Sequence, residues 1–188
     1  MFQDLLAAQF APYGSLTLDQ LERLNAHYRL LIQWNRRLNL TRVTELTDMV
    51  CLNYCEALFL AAHLPPGPLR VADVGSGAGF PGIPAAIFRP DTTFTLIEAH
   101  QRKAVFLREA SRGLVNVQVI SQRAQDLELT YDWVVSRAVR PDEVAELRIS
   151  SKFALLTGAV GASELRGECL KVPWGSGRFL VRFHVEQR

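Results

Sequence analysis

The residues best suited to chemistry form a glycine cluster, Asp73–Gly82, which reads Asp-Val-Gly-Ser-Gly-Ala-Gly-Phe-Pro-Gly. An apolar run over 69–74 leads into the cluster and predicts a strand, and a helical pattern follows it. Glycine accepts positive φ angles and lets a ligand touch the backbone, while the first turn of a helix offers free N–H groups to polar or anionic ligands. The cluster therefore predicts a strand–turn–helix loop that binds a nucleotide-like cofactor.

Two glycine frames fit this loop, and they indicate different cofactors. The frame Gly-x-Gly-x-x-Gly that begins at Gly77 matches the dinucleotide-binding pattern. The frame Gly-x-Gly-x-Gly that begins at Gly75, preceded by Asp73, resembles the first motif of S-adenosylmethionine-dependent methyltransferases. Glu98, at the end of the next predicted strand, supports either frame, because a carboxylate can accept hydrogen bonds from both hydroxyls of an adenosine ribose.

Three observations favour the methyl donor over a dinucleotide. Pro81 stiffens the part of the loop that would have to wrap around a pyrophosphate. Asp73 is placed to meet the cationic ammonium group of a methionine moiety, whereas it would repel a pyrophosphate. The chain after residue 65 is also long enough for only one mononucleotide-type fold, without the separate substrate domain that a dehydrogenase usually needs.

The first third of the chain, residues 1–65, predicts a helical extension. Apolar residues recur at helical spacing, and Thr17 with Gln20 predicts a capping box at the start of a long second helix. A third helix is predicted over 46–63. It ends before Pro65–Pro68, a Pro/Gly cluster that predicts the boundary between the extension and the rest of the chain.

The second part of the chain, residues 66–188, alternates short apolar strands with helical stretches. Strands are predicted at 71–74, 94–97, 117–121, 133–136 and 153–156, helices at 82–88, 102–112 and 142–149, and two closing strands at 168–173 and 178–185. Successive βα units indicate a parallel sheet with helices on both faces, and a closing hairpin adds an antiparallel edge. We therefore predict an α/β fold with a Rossmann-like, doubly wound, mostly parallel sheet.

The composition favours a protein with a packed core and without a membrane span or a disulfide framework. The chain has 188 residues and is 48% hydrophobic, which is enough for a packed core, and its net charge of +2 permits a nucleic-acid partner without requiring one. No run approaches about 18 apolar residues, so we expect no membrane span. Three cysteines, an odd number, indicate a reducing cytoplasm rather than a disulfide framework. Cys51 and Cys55 lack further ligands at a recognisable spacing, so no metal site is predicted.

Four segments, in order, resemble elements of one protein family. Asp73–Pro84 reads DVGSGAGFPGIP and resembles the family's signature. The other three are Trp34–Thr41, which resembles the family's W-N-x-x-x-N-L-T, Arg102–Leu107, which resembles its K-R-x-x-F-L, and Val135–Ala138, which resembles its I-S-R-A. Over about residues 20–185 the sequence resembles the bacterial 16S ribosomal RNA 7-methylguanosine methyltransferases, known as RsmG or glucose-inhibited division protein B. This resemblance implies the class I S-adenosylmethionine-dependent methyltransferase version of the predicted fold.

The resemblance and the glycine motif together imply S-adenosyl-L-methionine as the cofactor. The expected cofactor-binding residues are Asp73, Gly75, Ser76, Gly77, Gly79, Phe80, Glu98, Ala124 and Gln125. Arg137 ends the fourth predicted strand, and the resemblance implies that it lies beside the transferred methyl group and the substrate as the catalytic residue. The carboxyl end of the strands is also where doubly wound sheets bind ligands on physical grounds.

The implied partner is small-subunit ribosomal RNA or the ribosomal subunit, bound by a monomer in the cytoplasm. Four further arginines are candidates for contacting its phosphates: Arg36, Arg37, Arg102 and Arg140. For each of them, ordinary solvation of a surface charge is an equally good interpretation. Guanine N7 already presents a lone pair, so we expect no general base, and catalysis depends mainly on placing N7 in line with the methyl–sulfur bond.

The sequence differs from the family's pattern at two places, so other functions are kept as hypotheses. Family members usually carry R-H-x-x-D-S where Leu52–Ala57 stands, and only the acidic position is retained, as Glu56. They often carry lysine where Thr157 stands. The leading hypothesis is an enzyme that methylates guanine N7 in 16S ribosomal RNA. The alternatives are a methyltransferase of the same fold that acts on another RNA or a small molecule, and a non-catalytic RNA-binding assembly module.

Overall fold

The computed structural model describes residues 1–137 and 139–185. Ala138, the last residue of the predicted I-S-R-A segment, and residues 186–188, at the end of the predicted main domain, lie outside the described residues. Within the described part, seven strands form one sheet: β1 Arg70–Val74, β2 Thr93–Ile97, β3 Val117–Ile120, β4 Trp133–Arg137, β5 Lys152–Gly158, β6 Glu168–Lys171 and β7 Arg178–His184.

The strand order across the sheet is β3-β2-β1-β4-β5-β7-β6. The first five strands are parallel, and β7 runs antiparallel between β5 and β6. The order reverses between β1 and β4, which opens a crevice at the carboxyl ends of these two strands. The glycine cluster follows β1 and Arg137 ends β4, so the topology brings the two predicted parts of the site to one place. The predicted doubly wound α/β fold is confirmed.

The described helices cover both faces of this sheet. They are α1 Phe2–Phe10, α2 Leu18–Leu38, α3 Leu46–Asp48, α4 Glu56–Ala62, α5 Gly82–Phe88, α6 Gln101–Ala110, α7 Pro141–Ala145 and α8 Ala159–Glu164, with a π-helical turn at Met49–Cys55 and a 3-10 turn at Ala124–Asp126. Neighbouring strand residues alternate between two hydrophobic clusters, because successive side chains of a strand point to opposite faces. On β4, for example, Val135 packs with the helices of the first half of the chain and Val134 with the cluster around α7.

The predicted capping box of α2 is present and links the helical extension to the sheet. The Thr17 hydroxyl accepts a hydrogen bond from the Gln20 N–H at 3.2 Å, and the Gln20 side-chain oxygen accepts one from the Thr17 N–H at 2.9 Å. The Gln20 amide nitrogen donates to the carbonyl oxygens of Ile87 and Phe88, at 3.2 and 3.3 Å, at the end of α5. One hydrophobic cluster contains buried residues of both parts, and a domain boundary at residue 65 stays a prediction.

Three elements differ from the sequence-based expectations. The helix predicted over 46–63 is present, but its middle third is a π-helix. The helix predicted over 142–149 is wrong beyond residue 145: Arg148 and Ile149 form a turn, in which the Ile149 carbonyl accepts the Tyr131 N–H at 2.7 Å. α8 was not predicted, since its sequence, Ala-Val-Gly-Ala-Ser-Glu, has no apolar stripe and none of its residues is buried.

Candidate cofactor and substrate site

The glycine turn between β1 and α5 is held by hydrogen bonds to the end of β2. The N–H groups of Gly75 and Ser76 both donate to the carbonyl oxygen of Ile97, at 2.9 and 3.2 Å. The Ser76 hydroxyl donates to the Asp73 carbonyl oxygen at 2.8 Å. These bonds fold the backbone over the carboxyl ends of β1 and β2, so the predicted residues Gly75 and Ser76 lie at the crevice of the sheet.

Glycine is required at Gly75 by both conformation and space. Its φ angle is +72°, and a Cβ atom there would lie 2.6 Å from Cγ2 of Val139. A side chain at this position would therefore be strained and would also push against the segment that follows β4. The two other glycines of the predicted frame have positive φ angles as well: Gly77 and Gly79.

The Asp73 carboxylate lies behind the turn and is fully buried. Its Oδ2 accepts a hydrogen bond from the Gly82 N–H at 3.0 Å, while its Oδ1 has no hydrogen-bond partner among the described residues. Burial raises the pKa of Asp73 to about 7, and the bond from Gly82 offsets only part of this rise. A Cβ atom on Gly82 would lie 2.6 Å from Oδ2, so glycine is what lets the carboxylate reach the start of α5. Contact between Asp73 and a ligand ammonium group stays a prediction.

Glu98 supports the turn from the end of β2. Its Oε2 accepts a hydrogen bond from the Gly77 N–H at 2.9 Å, and its Oε1 accepts one from the His100 N–H at 2.8 Å. Each carboxylate oxygen has two lone pairs, so both oxygens can still accept a further hydrogen bond. The predicted ribose contact is therefore chemically compatible with the bonds that Glu98 already makes.

A cavity of about 300 Å³ opens above the turn at the crevice of the sheet. It has contributions from the loop after α2, the π-helix, the glycine turn, α6 and the end of β4. Its lining residues are Leu40, Thr41, Asn53, Gly75, Ser76, Gly77, Ala78, Phe80, Lys103, Arg137 and Val139. The cavity thus joins the predicted cofactor turn to the predicted catalytic arginine.

The loop after α2 is shaped by the asparagines of the W-N-x-x-x-N-L-T segment. The Asn35 side chain donates to the Thr41 carbonyl oxygen at 3.0 Å and accepts from the Thr41 N–H at 2.9 Å. Asn39 ends the helix in the left-handed conformation, with φ of 47°. Together these two asparagines turn the chain so that Leu40 and Thr41 reach the cavity, which gives this sequence pattern a structural reason.

Arg137 lies in the cavity with a buried carboxylate behind it. Its Nε is 3.9 Å from Oε2 of Glu56, whose side chain is fully buried, and its guanidinium carbon is 6.0 Å from the centre of the Phe80 ring. Arg178, on β7, donates two further hydrogen bonds to the same carboxylate. Burial lowers the pKa of Arg137, and the positive charge of Arg178 acts in the same direction, whereas Glu56 opposes them. Two arginines therefore share one carboxylate at the wall of the cavity.

The π-helical turn brings polar side chains to the site that the sequence analysis did not assign. Asn53 lines the cavity, and the Tyr54 hydroxyl lies 2.8 Å from Nδ1 of His27, a buried residue of α2. The sequence pattern does indicate that His27 is buried, because the residue shares one face of α2 with Leu24 and Leu31 at helical spacing. The roles of Tyr54 and Arg178 had no comparable local signal.

The two residues predicted to flank an adenine follow β3. Ala124 and Gln125 form most of the 3-10 turn Ala124–Asp126, with Ala124 buried and Gln125 exposed. Ala124 belongs to the same hydrophobic cluster as Ile97, the last residue of β2. The turn follows the carboxyl end of β3, which pairs with β2, and the contact of the pair with an adenine stays a prediction.

The four predicted phosphate-binding arginines are exposed and are not among the residues that line the described cavity: Arg36, Arg37, Arg102 and Arg140. The first two lie at the end of α2, beside Trp34, around a second cavity of about 450 Å³. Arg140 is paired with Asp142, with Nη2 2.5 Å from Oδ2 and Nε 3.2 Å from Oδ1. The substrate contacts of all four stay predictions, and Lys103 is the cation of α6 that reaches the cavity.

No group of three or more His, Cys, Asp or Glu side chains in the described ranges is arranged to hold a metal ion. The three cysteines, Cys51, Cys55 and Cys169, have free thiols. Among the helices that the structure describes, none combines the length and the apolar character needed to cross a bilayer.

Comparison with solved structures places the fold in a known class. The chain is similar to a methyltransferase dependent on S-adenosylmethionine from Aquifex aeolicus, with a TM-score of 0.56, 16% identity, and 72% of this chain and 92% of the other covered. It is also similar to the ribosomal protein L11 methylase from Lactobacillus delbrueckii subsp. bulgaricus, with a TM-score of 0.57, 12% identity, and 72% and 80% covered. The fold is that of the class I methyltransferases.

Comparison of sequences identifies the family within this class. A family profile described as rRNA small subunit methyltransferase G matches residues 20–162. Proteins named ribosomal RNA small subunit methyltransferase G from Desulforamulus reducens and Mycoplasma capricolum are 37% and 33% identical, over 74% and 84% of this chain and 60% and 74% of theirs. The one from Methylobacillus flagellatus is 46% identical over 62% of this chain and 58% of its own length.

This chain therefore belongs to the rRNA small subunit methyltransferase G family, and the resemblance of its four segments to that family is confirmed. The chain spans about six-tenths of the length of the Desulforamulus and Methylobacillus relatives.

Proposed function

We propose that this protein transfers a methyl group from S-adenosylmethionine to N7 of a guanine in 16S ribosomal RNA. Membership of the rRNA small subunit methyltransferase G family supports the substrate class. The single observation that carries the proposal is the cavity at the switch point of the sheet, which is bounded by both the glycine turn and Arg137. It offers a backbone surface for a cofactor next to a cationic side chain for a substrate.

The residues at the turn fit S-adenosylmethionine. Gly75 and Gly77 have no side chains, so a ligand can reach the backbone of the turn. A Cβ atom on Gly75 would fill the space next to Val139. Glu98 keeps lone pairs for the ribose hydroxyls, and the unpartnered Oδ1 of Asp73 is a buried acceptor behind the turn. When bound, this cofactor supplies an electrophilic methyl group on a cationic sulfur. In this proposal, Ala124 and Gln125 flank the adenine.

On the substrate side, the chain's residues have to orient a guanine and exclude water. N7 needs no proton removed, so placement is the main source of rate, and no general base is required. The Arg137 guanidinium offers donors to oxygen atoms of the guanine or a neighbouring phosphate, and the Phe80 ring supplies an apolar surface beside it. N7 is poorly reached in the deep groove of an RNA helix, so the target base lies in a loop or is turned out of its stack.

The partner is small-subunit ribosomal RNA or the assembled subunit, and the protein acts as a cytoplasmic monomer. Arg36, Arg37 and Arg102 are exposed, whereas Arg140 forms a close ion pair with Asp142, so the first three are the stronger candidates for phosphate contacts. The free thiols of the three cysteines are in keeping with a reducing compartment.

The test is methyl transfer from radiolabelled S-adenosylmethionine to 16S ribosomal RNA and to small subunits that lack the modification. We expect label in 7-methylguanosine after nuclease digestion, and none with the Gly75→Ala variant. Label in another RNA or in a small molecule would show that the protein is a methyltransferase with a different substrate. RNA binding that is indifferent to the cofactor, without turnover, would select the assembly module.

A further inference from the structure

His27 makes two polar contacts in an apolar interior, one to the glycine turn and one to Tyr54 of the helical extension. The residue is 3% exposed and projects from α2. Its Nε2 lies 3.1 Å from the carbonyl oxygen of Ala78, and its Nδ1 lies 2.8 Å from the Tyr54 hydroxyl. The imidazole is also enclosed by the rings of Phe80 and Phe106, with centroids 5.3 and 6.1 Å away.

The two partners assign the tautomer of this imidazole. The Ala78 carbonyl can only accept, so Nε2 carries the proton and donates to it. Nδ1 is then an acceptor, and the Tyr54 hydroxyl donates to it. Burial lowers the pKa of His27 to about 4, so the ring is neutral at physiological pH and both of its nitrogens are satisfied.

The Ala78 carbonyl lies between two glycines, so the local sequence does little to fix the backbone conformation of this part of the turn. Gly77 and Gly79, on either side of it, both have positive φ angles, and glycine loses the most freedom when it is ordered. The fit on this side is tight, since a Cβ atom on Gly79 would lie 3.1 Å from His27 Nε2. Glu98 holds the Gly77 N–H from the other side. The turn is thus fixed at neighbouring peptide groups by a helix of the extension and by the end of β2.

We propose that His27 is a positioning residue for the cofactor turn: by holding the Ala78 carbonyl, it pre-orders the backbone of Gly75–Phe80 in the conformation that receives the cofactor. Tyr54 keeps His27 in the tautomer that donates to this carbonyl. The proposal rests on the proposed function, in which this turn binds S-adenosylmethionine. It assigns a role in cofactor affinity to helices that lie outside the βα units of the sheet.

The test compares His27→Phe, which keeps a ring and removes both polar contacts, with His27→Gln, whose amide can still donate to Ala78. Hydrogen exchange at the amides of Gly75–Phe80 reports the order of the turn without any ligand. Calorimetry with S-adenosylhomocysteine reports affinity. We expect His27→Phe to speed exchange in the turn, and to weaken binding by about tenfold, equivalent to 1.4 kcal/mol. We expect His27→Gln to restore most of both.

A purely structural role is excluded by the control variant Leu24→Ala, which makes a cavity on the same buried face of α2. It should lower the free energy of unfolding without changing the affinity for S-adenosylhomocysteine. In steady-state assays, the effect of His27→Phe should fall on the KM for the methyl donor far more than on kcat at saturating donor. The proposal would be overturned if Leu24→Ala weakened S-adenosylhomocysteine binding as much as His27→Phe does. It would also be overturned if His27→Gln restored neither this affinity nor the slow exchange in the turn.

Two outcomes separate this proposal from the proposed function. If the unaltered protein binds no S-adenosylhomocysteine, the proposed function fails, and the exchange data alone decide whether His27 orders the turn. If His27→Phe does not fold, Tyr54→Phe decides, because it removes one hydroxyl and leaves the ring packing intact. We expect Tyr54→Phe to speed exchange in the turn in the same direction by a smaller factor, and unchanged exchange there would contradict the proposal.

Discussion

Arg178 donates two parallel hydrogen bonds to Glu56, from Nε to Oε1 at 2.9 Å and from Nη2 to Oε2 at 2.8 Å. The pair joins the antiparallel strand β7 to the start of α4, and it places a second cation beside the carboxylate that faces Arg137. Glu56 is fully buried, so its charge is compensated only by these two arginines among the described contacts. The orientation of Arg137 in the cavity therefore depends on a carboxylate that does not itself line it.

We expect Glu56→Gln to damage both stability and catalysis. Removing one partner of a buried ion pair costs about 3–5 kcal/mol, because the remaining charge is left uncompensated. With two arginines now repelling each other, Arg137 should move, and methyl transfer should fall by about 100-fold, the loss that a misplaced group can cause. Urea unfolding and single-turnover methylation measure the two effects. Binding of S-adenosylhomocysteine should change little, since the glycine turn is untouched.

Glu109→Gln is the matched control for this variant. Glu109 pairs with Arg112 at 2.7 Å on the surface of the protein, and exposed pairs contribute only about 0–1 kcal/mol. Its stability and activity should stay close to those of the unaltered protein. If Glu56→Gln behaved like this control, the proposed dependence of Arg137 on Glu56 would be wrong.

Gly75→Ala is expected to abolish cofactor binding. The left-handed conformation costs a residue with a side chain about 1–2 kcal/mol. The new Cβ atom would also lie 2.6 Å from Val139 Cγ2, at the wall of the cavity. Calorimetry with S-adenosylhomocysteine should detect no binding.

Gly67→Ala is the control that distinguishes the effect of backbone strain on stability from the loss of cofactor binding. Gly67 has a φ angle of +89°, but no atom of the described residues lies within 4 Å of its Cβ position. This variant should lose only the stability that backbone strain costs, with normal cofactor affinity. Equal cofactor affinities in the Gly67 and Gly75 variants would exclude the turn as the cofactor surface.

The Asp73 carboxyl gives the unliganded protein a characteristic dependence of stability on pH. Its folded-state pKa of about 7 lies above the ordinary value of 3.8, so the folded protein binds this proton more tightly than the unfolded chain. The resulting stabilisation is complete below about pH 4 and is lost as the pH rises through about 7. The loss amounts to at most about 4 kcal/mol at 1.36 kcal/mol per pKa unit.

Asp73→Asn should remove this dependence. The difference in unfolding free energy, variant minus unaltered protein, should rise from about pH 4 to about pH 7 and then level off. His27, whose pKa is lowered to about 4, acts in the opposite sense in the same range, but it is present in both proteins and cancels in the difference. Urea titrations across this range provide the measurement, and a constant difference would show that Asp73 titrates normally.

The arginines at the end of α2 should govern the salt dependence of RNA binding. Each lost phosphate contact lowers the slope of log affinity against log salt by about 1. We expect this change for Arg36→Gln and Arg37→Gln, measured by filter binding at several salt concentrations. Arg140→Gln is the comparison, because Arg140 is already paired with Asp142 and should change the slope much less. If Arg36→Gln and Arg37→Gln had the same slope as the unaltered protein, the end of α2 would not be part of the RNA surface.

The parts of the fold that depend on local pattern could be predicted from the sequence. Thr17 and Gln20 specify a helix start by themselves, and the glycines after β1 specify a turn with positive φ angles. The family resemblance drew attention to the segment Leu52–Ala57, where the chain departs from the common pattern. No local pattern in that segment predicts the π-helical turn Met49–Cys55, which overlaps it.

The contacts that complete the site join residues far apart in the chain and have no local signature. Glu56 and Arg178 are separated by 122 positions, and His27 and Ala78 by 51. A buried histidine on an apolar helix face predicts some polar partner, but its identity depends on the tertiary fold. The end of α7 was missed for the same reason, because a bond between Tyr131 and Ile149 determines it.

Arg178 lies on β7, which follows β5 and β6 along the chain, and this order has a consequence for biosynthesis. While the ribosome has released only the segments up to β5, Glu56 has no bidentate partner, and the environment of Arg137 is incomplete. We therefore expect stalled nascent chains that lack β7 to be inactive as methyltransferases, and assays of such chains can test this. Under the proposed function, methyl transfer would begin only after translation has passed β7.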